Sequence, residues 1–345
     1  MRYSALLVGG VALSAVTLAA MPTSAKELKN IGMSVGSMSN PYFTSLAEGA
    51  TNAAKKINPD AKLTVVSSEY DLGKQFSQMD NFIAAGVDLI LVAADDPHAI
   101  APAVKRAQDA GIPVISYNAD GIYTHGVPQI YTNRLAYVGQ ALYLSGQAMG
   151  EQIKTLVPGG GEIVIFIATP GTGNIQPRYD GAVSVLGSSY HVSEIATSTV
   201  DGTELSTEKS YLLGHKGTLK GAFAVDSGST ANLTAALKST GTSIPAGGFD
   251  TDPRTLSGLQ AGTIKFSIFQ DPYLQGFLPT LYLYLYNLSG GQLAPPDTDT
   301  GLTVLTPSNV SQMLKNSRFQ GGSSAQMYIP RPAGAINQPV GTTST

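Results

Sequence analysis

The sequence predicts an α/β fold in which helices cover parallel sheets. Short β-branched runs alternate with amphipathic segments along the chain, which is the rhythm of βαβ units. Most of these runs are continuously apolar, as expected for strands that are buried on both faces of a sheet. The length of 345 residues predicts about two domains, since one domain takes roughly 100–200 residues.

Seven apolar runs are predicted to be strands: Ile31–Val35, Leu63–Ser67, Val87–Ala93, Ile112–Tyr117, Glu162–Ala168, Gly221–Val225 and Ile264–Phe269. Asn40 and Pro41 predict an N-cap followed by proline at the first helical position. Apolar residues then recur at helical spacing as far as Ile57. In the next helix we expect Gln75 and Gln78 to lie on the solvated face.

Residues 1–25 are typical of an export signal. Arg2 precedes an apolar run, and small residues before Lys26 predict cleavage after Ala25. A membrane anchor is the alternative, but the run is shorter than the roughly 20 apolar residues that a bilayer-spanning helix needs. The chain contains no cysteine, so it can form neither a disulfide nor a lipid-bearing cysteine. We therefore expect a freely diffusing protein of a Gram-negative periplasm, and a flexible tail over residues 322–345.

The composition excludes several classes of protein. Hydrophobic residues make up 43% and charged residues 13%, which is typical of a globular chain rather than a disordered one. A net charge of −3 without a basic run argues against nucleic acid as a partner. The four histidines are scattered and lack the spacing of metal ligands. The G-x-S-x-G pattern around Ser34 lies inside a predicted strand, so it does not predict a hydrolase.

Polar side chains follow the predicted strands, where open parallel sheets bind ligands. These positions are Met38–Asn40, Asp95–Asp96, Asn118–Asp120, Thr172–Arg178, Asp226–Ser227, Phe249–Asp250 and Gln270–Asp271. Carboxylates accept hydrogen bonds, a guanidinium donates them and amides do both, and this mixture matches the hydroxyls of a sugar.

Seven segments in order carry a resemblance to a known family: Ser39–Phe43, Gly86–Ile90, Ala110–Ile115, Arg178–Gly181, Phe223–Ser227, Gly248–Asp250 and Phe269–Pro272. With these segments the chain resembles the type I periplasmic sugar-binding proteins, the ribose- and galactose-binding group, from about Leu28 to about Leu314. The resemblance implies two doubly wound lobes joined by a three-crossover hinge. It places residues 28–133 and 271–303 in the N-terminal lobe, and 134–270 and 304–321 in the C-terminal lobe.

The resemblance also implies which side chains bind the ligand. They are Asn40, Tyr42, Phe43, Asn118 or its neighbour Asp120, Arg178, Asp226, Phe249, Asp250 and Gln270. Asn118 stands where many relatives have an aspartate, which leaves the identity of the sugar open. Tyr42, Phe43 and Phe249 would supply the aromatic surface for the C–H face of a sugar ring.

Each of these residues also has a purely structural interpretation. Asn40 and Asp250 could be only helix caps, and Phe43 could belong to the core. Arg178 could form a surface ion pair with Asp180 or Glu162.

Three functions are compatible with such a site. The resemblance favours a monomeric binding protein that closes by hinge bending around a monosaccharide or polyol and delivers it to the permease of an ABC importer. A sensor that presents the ligand to a membrane kinase or chemoreceptor would have the same pocket, and a sugar-modifying enzyme would show turnover. We expect no catalysis and no cofactor.

Overall fold

The computed structural model describes residues 27–124, 127–130 and 132–314. The polypeptide forms two six-stranded sheets with helices on both faces of each, and a small two-stranded hairpin. No helix in these residues is long and apolar enough to cross a membrane. The signal segment 1–25 and the tail 322–345 expected from the sequence lie outside the described residues.

The first sheet is parallel throughout. Its strands in spatial order are β2 (Lys62–Ser67), β1 (Asn30–Val35), β3 (Leu89–Val92), β4 (Val114–Tyr117), β7 (Ala136–Gly139) and β13 (Thr298–Asp299). Its helices are α1 (Pro41–Ile57), α2 (Leu72–Ala84), α3 (Ala101–Asp109) and α9 (Pro272–Leu288). The hairpin consists of β5 (Ile122–Thr124) and β6 (Val127–Gln129).

The second sheet is parallel except for its last strand, which runs antiparallel to its neighbour. Its strands in spatial order are β9 (Tyr190–Ala196), β8 (Gly161–Ile167), β10 (Gly221–Ala224), β11 (Ala246–Phe249), β12 (Phe266–Phe269) and β14 (Thr303–Leu305). Its helices are α4 (Leu142–Leu156), α5 (Gln176–Val185), α6 (Asp201–Gly214), α7 (Ser227–Thr240), α8 (Pro253–Gln260) and α10 (Val310–Leu314). The predicted α/β class is therefore confirmed.

Helix α1 shows how the sequence builds the edge of the cleft. The Asn40 side chain accepts a hydrogen bond from the Tyr42 backbone N–H at 3.0 Å, so it caps the helix as predicted. The helix then packs closely on α9 because each contributes a glycine: a Cβ at Gly276 would lie 1.9 Å from the Leu46 carbonyl oxygen. This packing fixes the first turn of α1 at the carboxyl end of β1.

The chain passes between the two sheets three times: after β7, after β12 and between β13 and β14. The first passage falls later than residue 134, where the sequence places it. Strand β7 pairs with the first sheet, with Ala136 opposite Ile115, because its alternate residues Ala136 and Val138 are buried there. Thr303 pairs with Phe269 in the second sheet, so the third passage falls just before it.

Candidate ligand-binding cleft

A cleft lies between the carboxyl ends of the two sheets. In each sheet the chain order reverses beside one strand, β1 in the first and β8 in the second, and loops at such switch points diverge to leave a crevice. The cavity between the sheets has a volume of about 670 Å³, which includes open solvent at its mouth. Eight residues expected at the site line it: Asn40, Tyr42, Phe43, Asn118, Arg178, Asp226, Asp250 and Gln270.

Arg178 is the largest polar group in the cleft wall. Its side chain is only 2% exposed, and Nη1 donates to the Val225 carbonyl oxygen at 3.1 Å. The other two nitrogens, Nε and Nη2, have no hydrogen-bond partner among the described residues. The guanidinium turns inward over the Phe249 ring, 4.4 Å from its centre, instead of pairing with Asp180 or Glu162 at the surface. Two buried donors are thus left to bind a ligand.

Asp226 both caps α7 and lines the cleft. Its Oδ1 accepts from the Ser229 backbone N–H at 2.9 Å, and its Oδ2 accepts from the Ala168 N–H at 2.9 Å. Burial raises the pKa of Asp226, while these hydrogen bonds and the charge of Arg178 act in the opposite direction. The second lobe's wall therefore presents a fixed acceptor next to the arginine.

Asp250 and Gln270 form a hydrogen-bonded pair on the floor of the cleft. The Gln270 amide donates to Asp250 Oδ1 at 2.8 Å, and both side chains are at most 5% exposed. Asp250 has a positive φ of 71°, a conformation in which Asp is better tolerated than most residues. Burial raises the pKa of Asp250, and the charge of Arg178 opposes that rise. Asp250 does not cap a helix, because Asp252 is the N-cap of α8.

Asn118 and Tyr42 close the cleft from the first sheet. Asn118 has a φ of 60° and its Oδ1 accepts from the Asn174 amide of the second lobe at 3.1 Å. The Tyr42 ring meets Phe43 edge-on at 4.9 Å between centroids. Phe43 also belongs to the hydrophobic core, so its core and cleft positions coexist.

Two expected ligand residues lie outside the cleft lining. Phe249 is fully buried beneath Arg178, where its ring supports the guanidinium rather than facing the cavity. Asp120 is engaged by Arg134, whose Nε donates to Asp120 Oδ1 at 2.6 Å. The same arginine also pairs with Asp297 at 2.8 Å, so Asp120 belongs to a charge cluster of the first lobe. Of the neighbours Asn118 and Asp120, the cavity lining includes Asn118.

Sequence reasoning missed several lining residues, above all Tyr70 and Glu204. Tyr70 follows β2 in a left-handed conformation with φ 59°. Its position shortly after a predicted strand could have identified it as a cleft residue. Glu204 lies in the first turn of α6 and is 3% exposed. Burial and the nearby Asp226 raise the pKa of Glu204 to about 7. Nothing in the local pattern distinguishes it from an ordinary acidic residue near a helix start.

The cleft offers hydrogen-bonding groups and aromatic surface. Ser34 lies inside β1, fully buried, and donates to Gln78 Oε1 at 2.8 Å, so it does not form a nucleophile elbow. In the described part of the chain no group of three His, Asp or Glu side chains could hold a metal ion. Charged and amide groups in fixed positions beside Tyr42, Phe43 and Tyr70 suit a neutral ligand rich in hydroxyls.

Comparisons with known proteins agree with this geometry. A family model described as "Periplasmic binding protein domain" matches residues 31–290. The xylose/arabinose-binding protein XylF of Sulfolobus acidocaldarius is 39% identical over 300 residues, covering 83% of this chain and 73% of its own. The ribose import binding protein RbsB of Bacillus subtilis is 25% identical over 256 residues, covering 74% and 80%.

A solved structure has the same fold. The ABC-transporter solute-binding protein of Burkholderia graminis, in complex with D-arabinose, superposes with a TM-score of 0.74. It is 25% identical to this chain, and the match covers 85% of this chain and 99% of that one.

Proposed function

The chain belongs to the periplasmic binding protein domain family, and we propose that it captures a monosaccharide or related polyol and delivers it to an ABC importer. The ligand occupies the cleft between the two sheets. Pentoses are the first candidates, since the 39% identical relative is named for xylose and arabinose and a 25% identical one for ribose. Import is favoured over sensing because the latter relative is named an import binding protein.

The main observation behind this proposal is the buried guanidinium of Arg178, which has free hydrogen-bond donors and shares the cleft with the carboxylates of Asp226 and Asp250. Two nitrogens of this buried guanidinium have no partner among the described residues, and a buried donor left without a partner costs free energy. Sugar oxygens can accept from them, while Asp226 and Asp250 accept from sugar hydroxyls. The aromatic side chains Tyr42, Phe43 and Tyr70 then cover an apolar face of the ring. The family and its named relatives are binding proteins, which supports binding without turnover.

In this proposal the lobes are the two sheets with their helices, and hinge bending at the three passages opens and closes the cleft. The first lobe comprises residues 28–139 and 271 to about 300, and the second lobe comprises residues 140–270 and about 301 to 314. The protein acts as a periplasmic monomer after cleavage of residues 1–25. Amino-terminal sequencing of the exported protein tests this, with Lys26 as the expected first residue.

A thermal-shift screen tests the binding function. D-xylose, L-arabinose, D-ribose, hexoses and polyols are compared with the protein alone. A ligand at about 100 times its Kd stabilises the folded state by about 2.7 kcal/mol and raises the Tm. Asp250→Asn keeps a residue that tolerates positive φ but weakens the acceptor, and it should remove most of the shift. Asp252→Asn, which keeps the α8 cap, should not. No shift with any of these compounds would contradict the proposed function.

A further inference from the structure

We propose that Gln275 is a positioning residue that couples the sugar-binding cleft to the hinge by holding the Tyr42 hydroxyl and the Gln270 side chain together. This inference rests on the proposed sugar binding. Gln275 itself does not line the cleft; it lies behind two residues that do.

The Gln275 amide is fully buried in the first turn of α9 and is hydrogen-bonded at both ends. Its Oε1 accepts from the Tyr42 hydroxyl at 2.5 Å. Its Nε2 lies 3.0 Å from the Gln270 carbonyl oxygen, 3.2 Å from Gln270 Oε1 and 3.0 Å from Thr300 Oγ1. A primary amide has two hydrogens to donate, so these three acceptors fully satisfy it.

The partners of Gln275 stand on two of the three passages between the sheets. Gln270 directly follows β12, and the next residue, Asp271, takes a left-handed conformation with φ 55° where the chain turns toward α9. Thr300 lies between β13 and β14 and donates to the Gln270 carbonyl oxygen at 2.7 Å. One amide therefore joins two segments that must move when the lobes bend.

The same amide orients two groups of the cleft wall. Gln270 donates to Asp250 within the second lobe, so its side chain is held between Gln275 of the first lobe and that carboxylate. Tyr42 has its hydroxyl fixed by Gln275 Oε1. A chain of hydrogen bonds thus runs from Tyr42 in the first lobe through Gln275 and Gln270 to Asp250 in the second.

A purely structural role makes a different prediction. Any buried, satisfied amide stabilises the fold, and its loss lowers the Tm whatever happens at the cleft. Gln75 is such a residue: it is fully buried, its Nε2 donates to the Ala93 carbonyl oxygen at 2.8 Å, and it does not line the cleft. Gln75→Met is therefore the matched control for Gln275→Met.

Calorimetric titration with D-xylose, L-arabinose and D-ribose separates the two roles. For the sugar that wild type binds, Gln275→Met should raise Kd about tenfold or more. Tyr42 and Gln270 would no longer be held in place, and the loss of one well-oriented hydrogen bond to the sugar corresponds to about a tenfold change in Kd. Gln75→Met should lower the Tm of the sugar-free protein and leave Kd within twofold. In the double variant Tyr42→Phe with Gln275→Met, the rise in Kd should be smaller than the product of the single effects.

A second variant gives a readout that loss of packing cannot produce. Gln275→Glu replaces the amide by a buried carboxyl, which when protonated can still accept from Tyr42 and donate to Gln270. Its Kd, relative to wild type at the same pH, should improve as pH falls from 8 to 5. If wild type binds a sugar, two results would overturn this inference but not the proposed function. One is an unchanged Kd in Gln275→Met. The other is a ratio of the Gln275→Glu Kd to the wild-type Kd that does not vary with pH. Failure of wild type to bind any sugar would overturn the proposed function as well.

Discussion

Glu204 and Asp226 share a single hydroxyl on the second lobe's side of the cleft. Ser229 Oγ lies 2.8 Å from Glu204 Oε1 and 2.9 Å from Asp226 Oδ2. One hydroxyl hydrogen cannot serve both carboxylates. A proton on Glu204 resolves this, because Glu204 then donates to Ser229 and Ser229 donates to Asp226. The pKa of about 7, raised by burial and by Asp226, agrees with that arrangement.

This arrangement predicts a pH dependence of stability. Glu204 binds its proton more tightly in the folded state than in the unfolded state, where its pKa is near 4.5. Its contribution to the free energy of unfolding is therefore complete below about pH 4.5 and is lost as pH rises through 7, by at most about 3 kcal/mol. Glu204→Gln, a neutral isostere, should remove this part of the decline.

Urea unfolding at pH 5 and pH 8 measures this pH-dependent loss in the free energy of unfolding. The exposed Glu151→Gln variant serves as control, since Glu151 makes only a surface ion pair with Lys154. An equal loss of stability between the two pH values in wild type and Glu204→Gln would show that the proton does not reside on Glu204.

At the scale of single residues, the sequence predicted the cleft-lining residues that directly follow a recognisable apolar strand. Asp226 and Gln270 each directly follow a predicted strand, and both line the cleft. Position alone could not tell Asn118 from Asp120, because the choice depends on an ion pair between Asp120 and Arg134, which lies 14 residues further along the chain. Gln75, expected in solvent, is fully buried, since the Ala93 carbonyl oxygen and the Asp95 backbone N–H are brought to its amide by β3.

At the scale of elements, α1 is both a packed helix and a carrier of cleft residues. Asn40 caps this helix and also lines the cleft. Its two interpretations, as a cap and as a ligand residue, predict different effects of substitution. Asn40→Ala should lower the free energy of unfolding by about 1 kcal/mol and weaken sugar binding about tenfold. Asn40→Ser should keep the cap and still weaken binding.

Urea unfolding and calorimetric titration together check this. Asp71→Ala is the control because Asp71 caps α2 by accepting from Lys74 at 2.8 Å, away from the cleft. It should lose similar stability without loss of affinity. If Asn40→Ser binds sugar as tightly as wild type, Asn40 is a cap and nothing more.

The strands that sequence reasoning missed share a physical reason. β11 reads Ala-Gly-Gly-Phe, which suggests a loop, yet a Cβ at Gly247 would lie 2.4 Å from the Phe266 ring of the neighbouring strand. Glycine is required there by packing that only the folded sheet creates. β9 is an edge strand in which no residue is fully buried, so it lacks the continuous apolar run of the central strands.

At the scale of the whole molecule, the lobes touch across the cleft mouth. Besides the Asn118–Asn174 hydrogen bond, Gly173 of the second lobe approaches the first: a Cβ there would lie 3.0 Å from Pro97 Cγ. A large side chain at Gly173 should hold the lobes apart without touching the ligand. Gly173→Leu is expected to weaken sugar binding at least tenfold and to prevent compaction on adding sugar.

Small-angle scattering with and without sugar measures that compaction. The control is Gly187→Leu in the same lobe, an exposed position with no atom within 4 Å of the added Cβ. It should compact as wild type does. Normal compaction of Gly173→Leu would mean that closure does not bring Gly173 against Pro97.

The α/β class and the two-lobed body could be predicted because they depend on local apolar runs and on ordered family segments. The exact passages between lobes could not, because β7 and β14 are short and acquire their sheet only by pairing. The buried hydrogen bond between Gln275 and Tyr42 joins residues 233 positions apart and could not be read from any local sequence pattern.

The central claim is that a sugar binds in this cleft through Arg178. A crystal structure of the protein grown with the pentose that gives the largest thermal shift tests it most directly. We predict the sugar between the two sheets, with Arg178 Nε and Nη2 each about 2.7–3.1 Å from a sugar oxygen and with Asp226 and Asp250 accepting from its hydroxyls. A sugar bound elsewhere, or a cleft sugar that leaves both nitrogens of Arg178 without a partner, would contradict the claim.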